Sequence, residues 1–325
     1  MTQRTQRIAD RGHGENSMEF MDNLNTYARH RKAKSCVRPL IVLLWLLSVP
    51  FCSMGQNHSQ PKIFGIRSAK IICGEHCVST GFYSKILPLA GDCWDCGGET
   101  PFKIDDSQEL LLARVNPGTR TNLLLEITFA TDNVEHLHDY LNSHGIVSTF
   151  SNSTLNVSDP EGNHISFVEP PGKTWNYSHG VRGMRLIHAG FIVKDRAAMD
   201  KFYRDILGFH LYWSVGMKDG ETSWVSMQVP DGTDWIEYML NVDPKADQRL
   251  RGVMNHIALG VPSVKEAAIQ LEKNGVKLTE QPKIGRDGKW QLNLYDPDMT
   301  RVELMEFTPV EKPCCSEYTG THPKP

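Results

Sequence analysis

The chain has 325 residues, a net charge of −3 with acids and bases interspersed, and an apolar fraction of 40%. That length suits about two domains with sizeable cores, and the charge balance gives no electrostatic footprint for nucleic acid. With 22% charged residues the composition is that of a soluble globular protein. Residues 1–60 depart from it and read as leader and linker. The basic cluster Arg29–Lys34 precedes an apolar run of 13 residues, Pro39–Phe51. That run is shorter than the roughly 20 residues a bilayer span needs. Ser53-Met54-Gly55 follow as small residues for cleavage, so the whole reads as a secretory signal, with Met18 or Met21 as alternative starts. The expectation is an exported protein, periplasmic or extracellular, with no stable membrane span after cleavage. An uncleaved leader or a lipid on Cys52 is the anchored alternative.

Eight cysteines suit an oxidising compartment. Cys36 and Cys52 lie in the leader and Cys314-Cys315 in the tail. Cys73, Cys77, Cys93 and Cys96 cluster, which favours disulfides after export over structural zinc or buried thiols. Composition divides the rest into a first domain at 62–172, a polar linker at 173–183, a second domain at 184–308 and a flexible tail at 309–325.

The second domain reads as two copies of a β-α-β-β-β unit, an α+β pattern. Arg185–Val193 is an apolar strand with His188 near its start. Asp195 caps a helix whose buried stripe is Met199, Phe202, Tyr203 and Ile206, ended by Gly208. Strands follow near 209–217, 222–228 and 234–240. The second copy opens at Met254–Val261. Ser263 then caps, with Glu266 at the capping-box spacing, and Val264, Ala267, Ala268 and Leu271 form the stripe. Strands are expected near 277–282, 289–295 and 301–307. The first domain repeats the plan more weakly: Phe82–Leu89 parallels Phe202–Phe209, and Leu155–Gly162 parallels Leu292–Met299. The architecture is therefore four β-α-β-β-β modules paired into two domains.

Each copy in the second domain begins with a histidine strand and ends with a glutamate strand: His188 and Glu237, then His256 and Glu303, at nearly equal spacing. Two imidazoles and two carboxylates at matched positions suit one divalent transition metal, Fe, Mn, Co, Ni or Zn, with solvent completing its shell. The competing reading is two core histidines and two unrelated surface acids. Strand alternation puts His188 beside Gly190 and His256 beside Ala258 and Gly260, small neighbours that leave room for a ligand. Trp213, Trp224, Trp235 and Trp290 are candidates for a planar-ligand pocket or for ordinary core. Arg286 and Lys289 are placed to hold an anionic substrate or to sit in a solvated loop.

The stretches His188–Val193, Phe202–Gly208, Asn255–Leu259 and Asp296–Leu304 resemble the vicinal oxygen chelate superfamily, which includes glyoxalase I, extradiol dioxygenases and bleomycin-resistance proteins. The resemblance is good over 184–308 and loose over 62–172. It implies paired modules whose sheets curl into a cup around the metal, a small-molecule substrate, and a first domain that is a metal-free companion. There Ser68, Glu126 and Ser166 stand opposite His188, His256 and Glu303. Three functions follow from the resemblance. The leading one is a glyoxalase-I-like lyase or isomerase, with Glu237 or Glu303 as the catalytic base. The second is an extradiol-type dioxygenase using His188, His256 and Glu303. The third is a ligand-binding or resistance protein. Extradiol enzymes would also have a histidine outside the ligand set in the third unit and a tyrosine further upstream than Tyr295; no histidine lies between 211 and 240, and Tyr295 abuts Asp296.

Overall fold

Apolar, β-prone runs make strands of Ile63–Cys73 (β1) and Arg185–Ile192 (β8), and each becomes the middle of a curled mixed sheet. The computed structural model describes residues 59–74, 76–87, 98–114, 123–171, 183–218 and 220–325. In the first sheet β1 is joined by Glu99–Lys103 (β2), Glu109–Arg114 (β3), Leu124–Thr131 (β4), Ser148–Ser151 (β5), Thr154–Ser158 (β6) and His164–Val168 (β7), in the order β2-β3-β1-β4-β7-β6-β5. In the second, β8 is joined by His210–Val215 (β9), Trp224–Gln228 (β10), Trp235–Met239 (β11), His256–Val261 (β12), Lys283–Ile284 (β13), Trp290–Tyr295 (β14) and Arg301–Glu306 (β15). Their order is β13-β14-β15-β12-β8-β11-β10-β9.

Both sheets are built alike. Two central strands run antiparallel (β1 with β4, β8 with β12), and each has a parallel partner outside it: β3, β7, β11 and β15. The result is the expected α+β arrangement of β-α-β-β-β modules in two half-barrels.

The helices pack on the convex sides. They are His76–Tyr83 (α1), Val134–Ser143 (α2), Arg196–Asp200 (α3, continuing as a π-helical turn to Ile206), Gln248–Met254 (α4) and Val264–Lys273 (α5). Asp195 and Ser263 cap as expected, accepting from the N–H groups of Ala198 and Glu266. Met199, Phe202, Tyr203 and Ile206 are all buried, and Gly208 takes a left-handed φ of 73°. One continuous core joins the helices to the backs of both sheets. Gln108 links the modules as well: its amide nitrogen reaches the Ile66 and Leu186 carbonyls, and its oxygen accepts from Leu186 N–H.

Three expectations need correction or lie beyond reach. No strand forms at 277–282, where Pro282 has no N–H to give to a ladder; a two-residue strand, Lys283–Ile284, follows it instead. Helix α4 was not anticipated; Asp247 caps it, accepting from Leu250 N–H at 2.8 Å. The tail expected to be flexible is tied by backbone hydrogen bonds to Gly288 and Tyr212, which belong to the two ends of the second sheet. The leader, Cys93 and Cys96 lie outside the described residues, as does the side chain of Cys77. Among the described residues no helix is long and apolar enough to cross a membrane.

Candidate metal centre

His188 owes its direction to an irregularity in β8. Pairing with β12 slips between Ala258–His188 and Leu259–Leu186, so Ile187 is an extra residue in the strand. A bulge of this kind re-aims the side chains that follow it. Both Ile187 and His188 consequently lie off the convex core, Ile187 in a separate apolar cluster and His188 lining the cavity. Across the strand pair Gly190 is the register partner of His256. A Cβ on Gly190 would stand 2.0 Å from Cε1 of the His256 ring, so the imidazole occupies space that only a glycine leaves. Glu237 arrives from β11, opposite Gly190, and Glu303 from β15, opposite Ala258.

The four side chains converge. His188 Nε2 and His256 Nε2 are 3.1 Å apart. His256 Nε2 is 3.2 Å from Glu237 Oε2, and His188 Nε2 is 3.7 Å from Glu303 Oε2. Donor atoms of His188, Glu237 and His256 all lie within 4.8 Å of one another, while Glu303 stands to the His188 side of that group. Both histidines are buried, and burial holds each imidazole well below its usual pKa; the neighbouring Arg301 adds to this in both. Burial likewise pushes the Glu303 carboxyl up to about 7, with Glu237 and Asp287 reinforcing the shift against Arg301 and Lys289.

These residues fit a divalent metal. The imidazoles are neutral, as ligands must be. His256 Nδ1 lies 3.3 Å from the Met254 carbonyl, which suits an Nδ1–H donor and leaves the Nε2 lone pair facing the site. An ion about 2.1 Å from each of two nitrogens at near a right angle separates them by about 3 Å. A cation between the carboxylates would relieve the repulsion from Glu237 that adds to the effect of burial on Glu303.

Beside these side chains opens a cavity of about 350 Å³, lined by His188, Glu237 and Glu303. Aromatic rings wall it: Tyr212, Trp213, Trp224, Trp235 and Tyr318. The indole N–H groups of Trp213 and Trp235 and the Asn293 side-chain oxygen are buried without hydrogen-bond partners among the described residues. Such orphaned groups suit a polar ligand. Three of the four tryptophans singled out in sequence thus reach the cup, whereas Trp290 packs against the convex core under Lys265. Arg286 lines the cavity. Lys289 does not lie in a solvated loop: it is fully buried, with Nζ 5.0 Å from the centre of the Trp235 ring. Burial pulls its pKa down to about 8 against the attraction of Asp287 and Glu303.

Sequence reasoning missed Ser226, Asn293 and Tyr318. Ser226 donates to Glu237 at 3.2 Å, and Asn293 is the register partner of Glu303. Alternation along β10 and β14 was the available signal for these two. Tyr295 shares the Asn293 side of its strand, and its hydroxyl is spent on Glu280 at 2.6 Å. The tail carries no periodicity, so nothing announced Tyr318.

The first sheet holds a counterpart. Lys70 pairs with Glu126 in register, its Nζ 2.8 Å from Glu126 and 3.0 Å from Glu99. Ser166 donates to the other Glu126 oxygen.

Residues 185–304 match the sequence model of the glyoxalase/bleomycin resistance protein/dioxygenase superfamily. The second domain belongs to that superfamily. Its members' fold extends over both halves of the chain. The substrate complex of homoprotocatechuate 2,3-dioxygenase from Brevibacterium fuscum superposes with a TM-score of 0.55 at 19% identity, covering 82% of this chain and 84% of that one. A catechol 2,3-dioxygenase gives 0.57 at 15% identity over 79% and 92%. Identities this low establish the fold. No curated protein matches the chain.

Proposed function

We propose that the second domain is a metal-dependent enzyme for a small planar substrate carrying two adjacent oxygens, with chemistry of the extradiol dioxygenase type. The observation that carries this is an aromatic-walled cup lined by His188, Glu237 and Glu303, with the His256 ring buried against His188 and Glu237. Fold likeness to ring-cleaving dioxygenases supports it and moves that reading ahead of the glyoxalase-like one. His188, His256 and Glu303 would hold the metal as a 2-His-1-carboxylate triad, for which Fe or Mn is the suitable choice. Such a metal, when bound, would chelate the vicinal oxygens and supply redox chemistry toward dioxygen.

The chain's own residues do the rest. The rings of Trp213, Trp224 and Trp235 sandwich a planar substrate and keep water from it. The indole N–H groups of Trp213 and Trp235, buried without partners among the described residues, point its oxygens. Glu237, held by Ser226, is placed to take the proton of a substrate hydroxyl.

One observation favours proton transfer instead. Glu237 lies closer to His256 than Glu303 does to His188, as a fourth ligand and mobile base of a lyase or isomerase would. Apoprotein reloaded anaerobically with Fe, Mn, Co, Ni or Zn and then given a panel of catechols decides between them. Oxygen uptake dependent on substrate and on Fe or Mn supports ring cleavage. Turnover of 2-oxoaldehyde or 2-hydroxyketone substrates without oxygen supports proton transfer. Binding of either panel with no turnover would leave a sequestering protein. We also propose that the chain is exported, on the strength of its basic cluster and apolar run; the mature N-terminus of protein from its own host tests this.

A further inference from the structure

Residues 309–325 form a wall of the cup. At one end of the second sheet Val310 and Glu311 donate backbone N–H to the Gly288 carbonyl, and Cys314 to that of Arg286. At the other end the Ser316 hydroxyl accepts from Ser214 N–H and donates to the Ser214 carbonyl, at 3.1 and 2.8 Å. Thr319 N–H then bonds the Tyr212 carbonyl, and the Thr321 carbonyl accepts from Gln228. The segment therefore bridges the open side of the half-barrel, from the β13–β14 turn to β9. Within the second mooring, between Ser316 and Thr319, Tyr318 faces the cavity, its ring 4.8 Å from that of Tyr212 and its hydroxyl donating to the Asp287 carbonyl.

Cys314 and Cys315 are joined by a disulfide at the rim of this wall. Both sulfurs accept from Nη2 of Arg286, at 3.1 and 3.3 Å, and Arg286 itself lines the cavity. Cys314 packs on the aromatic cluster of the cup, while Cys315 is exposed to solvent. Cys315 also has a φ of 75°, a left-handed conformation that few residues other than glycine adopt.

We propose that Cys314–Cys315 is a redox modification site whose bond clasps the C-terminal wall of the substrate cup, and whose reductant is a dithiol. The exchange moves two electrons and two protons. The dithiol closes to its own disulfide as the Cys314–Cys315 bond opens to two thiols. An open pair no longer holds Cys315 in the left-handed region or both sulfurs against Arg286. The chain between Cys314 and Ser316 can then straighten, which withdraws Tyr318 from the cup. Re-oxidation by a disulfide reverses the step. Reduced protein thus has an open cup and oxidised protein a closed one.

The buried indoles of Trp213 and Trp235 report the state of the wall without any knowledge of the substrate. Acrylamide quenching of tryptophan emission is measured on the full chain before and after dithiothreitol, alongside alkylation mapping of the C-terminal peptide. Untreated protein should resist alkylation at both cysteines. Reduction should raise the quenching constant roughly twofold through local opening. The Cys314→Ser/Cys315→Ser protein should start at the raised value and not respond to dithiothreitol, which separates this pair from the other cysteines. Far-UV circular dichroism verifies that the variant is folded, and Tyr318→Ala, which removes the wall's ring without touching the sulfurs, should give the same raised value. Alkylation of both cysteines before reduction would overturn the proposal. So would an equal response of wild type and double variant.

Discussion

Lys70 in β1 holds the register position that Gly190 holds in β8. Each faces the first residue of the ligand-bearing part of the neighbouring central strand, Glu126 in one sheet and His256 in the other. Where Gly190 leaves a gap for an imidazole, Lys70 fills it with an ammonium group set between Glu126 and Glu99. Burial opposes the lysine charge, but hydrogen bonds to Glu126 and Glu99 outweigh it and raise its pKa. One module thus carries a cation on a side chain where the other has the candidate metal centre.

Gly190→Ala should fold and lose metal. The added methyl meets the His256 ring 2.0 Å away, and neither central strand can yield. Overpacking of this kind costs about 1–3 kcal/mol. Displacing a ligand ring should cost roughly 10–100-fold in metal affinity, the range seen when ligand orientation is disturbed. Titration with Mn or Zn and thermal unfolding read the two effects separately. Unchanged affinity would show that the ring does not need the gap.

Lys70→Met should leave Glu126 and Glu99 facing each other without a cation. The side chains are 21%, 22% and 49% exposed, between the surface and buried regimes, so a stability loss of about 1–2 kcal/mol is expected. Denaturant unfolding measures it. Lys70→Met/Glu126→Gln should recover part of the loss, and neither the wild-type first domain nor these variants should bind metal. Metal found in a protein already stripped of its second-domain ligands would refute that.

Much of this was legible because repeats announce themselves. The paired His and Glu strands, the two caps and the Asp-Pro turns stand at equivalent positions of related modules, and local chemistry alone places them. Three features were not legible, for physical reasons. The bulge at Ile187 depends on pairing with a strand far along the chain. Lys289 is a charged residue next to glycine, which reads as solvated loop until Tyr212, Trp235 and Tyr318 are seen to cover it. The tail has no apolar period, since its order comes from backbone bonds to other elements rather than from a buried stripe of its own.

The two Asp-Pro turns latch the modules crosswise. Tyr83 of the first donates to Asp296 of the second at 3.0 Å, and Tyr203 of the second donates to Asp159 of the first at 3.2 Å. Each aspartate also accepts two backbone N–H groups of its own turn. Tyr83→Phe and Tyr203→Phe should each cost about 1–3 kcal/mol, because a carboxylate loses a buried donor. Thermal unfolding checks both; a change in only one would mean that the latches are not equivalent.

Asp296 gives the same interface a pH dependence. Burial pushes its pKa up to about 7 from an ordinary 3.8, with Asp298 adding to the shift against the hydrogen bonds from Thr300 and Tyr83. The folded state therefore keeps a proton that the unfolded chain releases. Its contribution to stability is greatest below the unfolded pKa and is lost as pH rises toward 7, at no more than about 1.4 kcal/mol per pH unit. Stability curves of wild type and Asp296→Asn between pH 4.5 and pH 8 isolate this group from the buried histidines. Their difference should change as pH rises toward about 7 and level off above that. Parallel curves would show that Asp296 titrates normally.

The metal centre itself is the sharpest test, because its four members should not be equal. His188 and His256 meet at 3.1 Å and belong to any metal set this site can form. Alanine at either should lower affinity about 100-fold, at the upper end of what a disturbed ligand costs. Glu303→Ala should do the same if it completes the triad with the two imidazoles. Glu237→Gln still offers an oxygen, so metal should stay and only the proton acceptor should go, with turnover down about 10²–10⁴-fold. Metal stoichiometry, followed by substrate-dependent oxygen uptake, reads these in order. Stripping with a chelator should lower the unfolding temperature and restoration of metal should return it, since a ligand that binds only the folded state stabilises it. Full metal occupancy in both His256→Ala and Glu303→Ala would remove the site. Full turnover in Glu237→Gln would remove this carboxylate from the chemistry and leave its place beside His256 a matter of charge alone.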